Sequence, residues 1–164
     1  MALNPIQEGV EAPDFELESS EPGANGKPGR TIRLSEFRGK KVVVLAFYPL
    51  DFSPVCTSEN ACFERSADRY AKADAQVLGI SVDSAWSHAA FKEQLKLSYP
   101  LLADFHPKGE VASKYGLYID ELGITARATV VVGKDGLVKL VKVQQIPEPR
   151  STQRILEFIE KLPA

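Results

Sequence analysis

From Val42 to Tyr48 the chain carries seven consecutive apolar or aromatic side chains, a run short enough to be one strand buried on both faces. Gln76 to Val82, rich in β-branched residues, predicts a second buried strand. Between them Phe63, Ala67 and Tyr70 recur at the i, i+4, i+7 spacing of one helix face, so a helix over Thr57 to Ala73 is predicted to pack on the sheet. Asp83 or Ser84 is placed to cap another helix that runs to about Leu95. Pro100 to Ala103 reads as a short strand, and Lys108 to Tyr115 as a short helix stopped by Gly116. Ala128 to Val132 and Leu137 to Val143 flank Gly133-Lys134-Asp135-Gly136, which has the residues a hairpin turn needs. Ile155, Leu156, Phe158, Ile159 and Leu162 give Ser151 to Leu162 the pattern of a closing amphipathic helix. The Gly-, Pro- and Ser-rich stretch Ser19 to Arg30 is expected to be an exposed hairpin connection. Strands alternating with helices predict an α/β fold, a mixed central sheet with helices on both faces and a largely parallel centre. With no internal repeat, residues 1–164 are expected to form one domain.

Composition narrows the function classes. Hydrophobic residues make up 44% of the 164 positions and charged residues 26%, with a net charge of −2 and both signs scattered. No basic patch suggests a nucleic-acid partner or an anionic membrane surface. Met1 to Gly9 has no basic segment followed by an apolar core, and the longest apolar run falls far short of the roughly 20 residues that span a bilayer. A cytoplasmic location is therefore expected. Two cysteines in such a chain point to redox or catalytic use more often than to a structural bridge.

The segment Phe47-Tyr48-Pro49-Leu50-Asp51-Phe52-Ser53-Pro54-Val55-Cys56-Thr57-Ser58-Glu59 places a thiol where the apolar strand ends and a helix begins. A helix start offers unpaired N–H groups and partial positive charge, which favour the nucleophilic thiolate. The plainer reading is that Cys56 is a small buried hydrophobe. Pro49 and Pro54 read locally as chain breakers, Ser53 as a turn hydroxyl, Glu59 as a first-turn acid and Arg127 as a surface arginine before a strand. His88 and His106 are too scattered from the cysteines to form a zinc set, and neither a phosphate loop nor a dinucleotide fingerprint is present, so no cofactor or metal is expected.

Pro49, Ser53 and Cys56 stand in the spacing Pro-x-x-x-Thr/Ser-x-x-Cys, which resembles the active-site signature of the peroxiredoxins. The likeness extends through Ala12-Pro13-Asp14-Phe15, similar to that family's first strand, and Leu34 to Gly39, similar to the turn before its central strand. It continues through Gly79 to Asp83 with Ala90-Phe91, and through Arg127 and Thr129, which look like its arginine strand. Within the family the chain resembles the bacterioferritin-comigratory (PrxQ-like) and one-cysteine AhpE-like groups. The resemblance implies a thioredoxin-like fold and a thiol-dependent peroxidase. Such an enzyme reduces hydrogen peroxide and small organic hydroperoxides through a cysteine sulfenic acid, and a thioredoxin-like or low-molecular-weight thiol recycles it. By the same likeness Cys56 is the nucleophile, and Ser53, in place of the family's threonine, bonds the peroxide. Pro49 shields the site, Arg127 holds the thiolate and the developing charge, and Glu59 orients the arginine.

Two features depart from or extend that pattern. The PrxQ-like proteins often carry a second cysteine in Cys-x4-Cys, whereas here the interval is Cys56-x5-Cys62, and AhpE-like proteins lack it. Cys62 is expected to resolve the sulfenic acid if the first turns of the helix unwind, for which Ser58, Asn60 and the lack of apolar anchors before Phe63 speak; otherwise an outside thiol does so. The apolar loop Leu50 to Phe52 beside Asp104 to Pro107 suggests a homodimer, with a monomer as the alternative. Rival functions for the same thiol are a peroxide-sensing module and a Cys-His hydrolase, the latter if His88 or His106 reaches Cys56.

Overall fold

A computed structural model describes residues 3–163. Its main sheet has seven strands: β1 (Glu16–Ser19), β2 (Thr31–Arg33), β3 (Val42–Phe47), β4 (Ala75–Ser81), β5 (Leu101–Ala103), β8 (Arg127–Val132) and β9 (Val138–Gln144). A separate ribbon pairs β6 (Tyr118–Ile119) with β7 (Ile124–Thr125). The helices are α1 (Pro54–Arg65), α2 (Ala67–Lys72), α3 (Ala85–Leu95), α4 (Glu110–Lys114) and α5 (Thr152–Glu160). Across the sheet the order is β2-β1-β5-β4-β3-β8-β9, with β3, β4 and β5 parallel and the flanking strands antiparallel. The expected mixed sheet with a parallel centre is present.

Strand β3 is central and buried at every position. Successive side chains of a strand point to opposite faces, so Val43, Leu45 and Phe47 enter one core and Val42, Val44 and Ala46 the other. The first core lies under α4 and the 3-10 turn Leu34–Phe37, with Leu34, Val111, Ala112 and Tyr115. The second lies under α1, α2, α3 and α5, with Phe63, Tyr70, Phe91, Ile155 and Leu156. Helices therefore cover both faces.

Three boundaries differ from the sequence-based reading. The first strand begins at Glu16, because Ala12 N–H bonds the Gly136 carbonyl (2.9 Å) and Asp14 Oδ1 accepts from Ser35 N (3.0 Å), which ties Ala12–Phe15 to neighbouring turns. The single helix expected over Thr57 to Ala73 is two helices that meet at Ser66 (φ −103°, ψ 10°), whose N–H turns back to the Phe63 carbonyl. Phe63 and Tyr70 keep the same face across that break, with ring centroids 5.8 Å apart. The helix also starts earlier, since Pro54 takes the first helical position, where a missing N–H costs nothing. Ser84 rather than Asp83 caps α3, its Oγ accepting from Ser87 N. The β8–β9 hairpin closes as expected, with Gly136 at φ +83° in the left-handed region that glycine tolerates.

Candidate active site

Cys56 sits in the third position of α1, reached by a tight reversal at the end of β3. Pro49 is buried at the close of the strand, and Ser53, in extended conformation, is the residue before the first turn of α1. The first-turn amides of a helix have no carbonyl one turn back, so the Cys56 N–H is left unpaired by the helix ladder. Ser53 Oγ donates to the Leu50 carbonyl (2.9 Å), which closes the loop and leaves the hydroxyl's lone pairs to accept.

The thiol itself is 0% exposed and joins the second core, as the plainer reading of a buried cysteine would have it. Its polar neighbour is not that of a core cysteine. Arg127 Nη1 and Nη2 each lie 3.4 Å from Cys56 Sγ. The arginine opens β8 and is buried, so it is no surface residue. Its Nε donates to the Ile146 carbonyl (2.7 Å), and its Nη1 pairs with Glu59 Oε1, which fixes the guanidinium on both sides of the sulfur. Glu59, buried one turn beyond Cys56, is brought into contact with Arg127, the residue the resemblance paired it with.

A second arginine completes the cluster, and sequence reasoning missed it. Arg150 is buried, and its Nε lies 3.1 Å from Glu59 Oε2. Its Nη1 donates to the Ala128 carbonyl (2.8 Å) and Thr129 Oγ1 (3.0 Å), and its Nη2 to the Phe47 carbonyl. The guanidinium also lies over the Phe63 ring, 6.0 Å from its centroid. Burial pushes this guanidinium below its ordinary value and Glu59 opposes that shift. Locally Arg150 is an arginine between Pro149 and the cap of α5, a pattern no different from a surface residue. Its partners are remote in sequence, so no short-range signal marks it.

Neither histidine faces the thiol through a hydrogen bond. His106 is exposed, whereas His88 is buried with Nδ1 2.8 Å from Asp51 Oδ2 and Nε2 2.9 Å from the Leu102 carbonyl. A Cys-His nucleophile pair of the hydrolase kind is therefore not what Cys56 presents. Asp51, Asp83 and His88 approach closely enough for a metal, but their facing atoms already bond protein groups. The cluster reads as an internal hydrogen-bond network.

Cys62 is half-buried on the same helix, with Arg65 Nη2 donating to its Sγ (2.8 Å). Both cysteines are free. Six residues of helix separate α-carbons by about 9 Å along the axis, well beyond the ~5.5 Å of a disulfide. The intervening turn is also better anchored than its composition suggests. Glu59 bonds two arginines, and Asn60 donates to the Cys56 carbonyl (2.9 Å) while its Oδ1 accepts from the buried Tyr99 hydroxyl. The weakly held first turns expected from Ser58 and Asn60 are thus held by polar contacts rather than apolar ones.

The family model for AhpC/TSA matches residues 9–141. The chain is 37% identical over 158 residues to a chloroplastic peroxiredoxin Q of Suaeda salsa, covering 96% of this chain and 69% of that relative. It is similar in structure to reduced 2-Cys peroxiredoxin of Plasmodium vivax, with a TM-score of 0.85, 32% identity, and 95% and 81% of the two chains covered. It is also similar to Mycobacterium tuberculosis AhpC, with a TM-score of 0.84, 27% identity, and 96% and 98% coverage.

Proposed function

We propose, for a chain that belongs to the AhpC/TSA family of peroxiredoxins and is thereby a thiol-dependent peroxidase, that Cys56 is the residue peroxide oxidises. The observation that carries this reading is the sulfur lying 3.4 Å from two N–H donors of a buried arginine. A buried cluster of Arg127, Arg150 and Glu59 carries one net positive charge, and a Cys56 thiolate balances it. A neutral thiol would leave that charge uncompensated in a low-dielectric interior, which is costly.

In the proposed reaction the Cys56 thiolate attacks one peroxide oxygen. A sulfur–oxygen bond forms as the oxygen–oxygen bond breaks, and the second oxygen leaves as hydroxide or alkoxide and takes up a proton. The Arg127 fork stabilises the negative charge as it moves from sulfur to the departing oxygen, and the first-turn N–H of Cys56 adds a second donor. Ser53 accepts from the peroxide hydrogen, and buried Pro49 keeps water from the sulfur. Glu59 and Arg150 act through Arg127 by holding it in place.

The substrates proposed are hydrogen peroxide and small organic hydroperoxides, since the enclosed thiol admits only small molecules. An external thiol, thioredoxin-like or of low molecular weight, is proposed to return the sulfenic acid to the thiol. Resolution by Cys62 would require α1 to unwind through Glu59 and Asn60. Free cysteines and a thiol-based recycling step favour a reducing compartment, and the cytoplasm is proposed. Exposure of Leu50 (40%), Phe52 (48%) and Phe105 (56%) supports a homodimer over the monomer, to be decided by sedimentation at micromolar concentration.

One equivalent of peroxide followed by mass measurement tests the chemistry. A gain of about 16 Da that dimedone captures at Cys56, equally in wild type and Cys62→Ser, is expected. A loss of about 2 Da in wild type alone would assign resolution to Cys62, and oxidation mapped elsewhere would remove Cys56 as the reacting thiol.

A further inference from the structure

The loop that leads from β3 into the helix carrying Cys56 holds one buried residue between two exposed ones. Leu50 and Phe52 face solvent, whereas the Asp51 side chain between them is enclosed. Its Oδ1 accepts from the Tyr48 hydroxyl (2.6 Å). Its Oδ2 takes Ser87 Oγ (2.9 Å) and faces His88 Nδ1 (2.8 Å). The Asp51 backbone N–H donates to Asp83 Oδ2 (2.8 Å). One loop residue is thus tied to the end of β3, to the turn after β4 and to the first turns of α3. Gly79 on β4 leaves room for this, since a Cβ there would stand 3.3 Å from the Tyr48 ring and 2.6 Å from Leu101.

The hydrogens in this network can be placed from acceptor chemistry. Burial, with Asp51 adding to it, raises the Tyr48 hydroxyl well above its ordinary range, so it stays protonated and donates. His88 Nε2 faces a carbonyl, which only accepts, so it carries a hydrogen. Nδ1 faces Asp51 Oδ2, with the Tyr48 hydroxyl also 3.3 Å away, so one hydrogen links the ring to the carboxyl group. We propose that Asp51 and His88 are positioning residues, a buried hydrogen-bonded pair that clamps the Leu50–Ser53 loop closed over Cys56. The proposal rests on the reading of Cys56 as the reacting thiol.

Backbone geometry gives independent support. Phe52 adopts φ +66°, a conformation that a residue with a side chain keeps only when its surroundings impose it. The Asp51 network holds one side of that turn, and on the other the Phe52 ring meets Phe91 edge-on at 5.0 Å. Ser53 follows directly, closing onto the Leu50 carbonyl at the start of α1. Releasing Asp51 therefore frees both the hydroxyl and the helix start that face the peroxide, and it uncovers a thiol that is otherwise enclosed.

Two rates in opposite directions test the clamp. In a Cys62→Ser background, His88→Gln keeps a donor toward the Leu102 carbonyl and loses the one toward Asp51, whereas His88→Asn keeps the latter. For His88→Gln, peroxide reduction is expected to fall on the order of tenfold, as for the loss of one charge-assisted hydrogen bond, while a bulky maleimide reacts with Cys56 correspondingly faster. His88→Asn is expected to recover most of both rates. Rates equal to the parent, or both falling together, would overturn the clamp. Should His88→Gln fail to fold, Ser87→Ala removes one Asp51 donor more gently and is expected to shift both rates in the same directions, with the same results overturning it. Cys56→Ser run in parallel separates the two readings, since peroxide turnover surviving there removes the Cys56 assignment itself.

Discussion

Replacing Glu59 by glutamine takes one negative charge from between two buried guanidinium groups. The carboxylate contacts Arg127 through Oε1 and Arg150 Nε through Oε2 at 3.1 Å, with its side chain 3% exposed. Removing one member of a buried ionic set costs about 3–5 kcal/mol, because the partner charges remain without compensation. Glutamine keeps one acceptor oxygen, so the low end applies, about 3 kcal/mol. At roughly 2–4 °C per kcal/mol for a chain of this size, the melting temperature should fall by about 6–12 °C. Peroxide reduction should slow on the order of tenfold at temperatures where the variant is folded, since Arg127 loses the contact that aims it at Cys56. Circular-dichroism melts and peroxide-consumption rates on reduced protein measure the two effects. A melting temperature within about 2 °C of wild type together with an unchanged rate would refute the idea that Glu59 anchors the arginine pair.

Arg127→Met should slow peroxide reduction on the order of 10²-fold in stopped-flow measurements, comparable to losing a transition-state donor, and an unchanged rate would remove it from the site. Arg150→Lys keeps the charge but not the planar fork that reaches Glu59, Ala128, Thr129 and Phe47. It should therefore lower thermal stability clearly, whereas a neutral effect would show that charge alone suffices. Asp104, whose carboxylate accepts from Val111 N and Ala112 N at the start of α4, is raised above its ordinary value by burial. Its folded form holds a proton more tightly than the unfolded form, so its contribution is largest at low pH and declines as pH rises from about 4 through the folded value. The stability advantage of wild type over Asp104→Asn should shrink over that window in melts taken at a series of pH values, and a widening gap would contradict the sign.

The parts of the fold set by local periodicity were legible in the sequence. Strand β3 could be read from its unbroken apolar run, α5 from its amphipathic spacing, and the β8–β9 turn from its glycines. The break at Ser66 was not, because Phe63 and Tyr70 keep the helical spacing across it and both are buried on the same side. The earlier start of α1 did carry a signal, in a serine followed by proline, but two nearby prolines also read as chain breakers. For the site, Cys56 emerged from motif spacing and Arg127 and Glu59 from the family resemblance, and the three are found together. Arg150 and the Asp51–His88 pair did not emerge, since Arg150's partners lie 21 to 103 positions away and His88 lies 37 from Asp51, contacts that exist only once strands and helices are assembled.

The account turns on Cys56. Peroxide consumption by folded Cys56→Ser, with thiol reductant in excess and wild type alongside, measures its role directly. A serine hydroxyl is far too basic to stand in for a thiolate, so turnover should disappear while the circular-dichroism spectrum is retained. Turnover near the wild-type rate in the folded variant would contradict the assignment of Cys56 as the peroxide-reducing thiol.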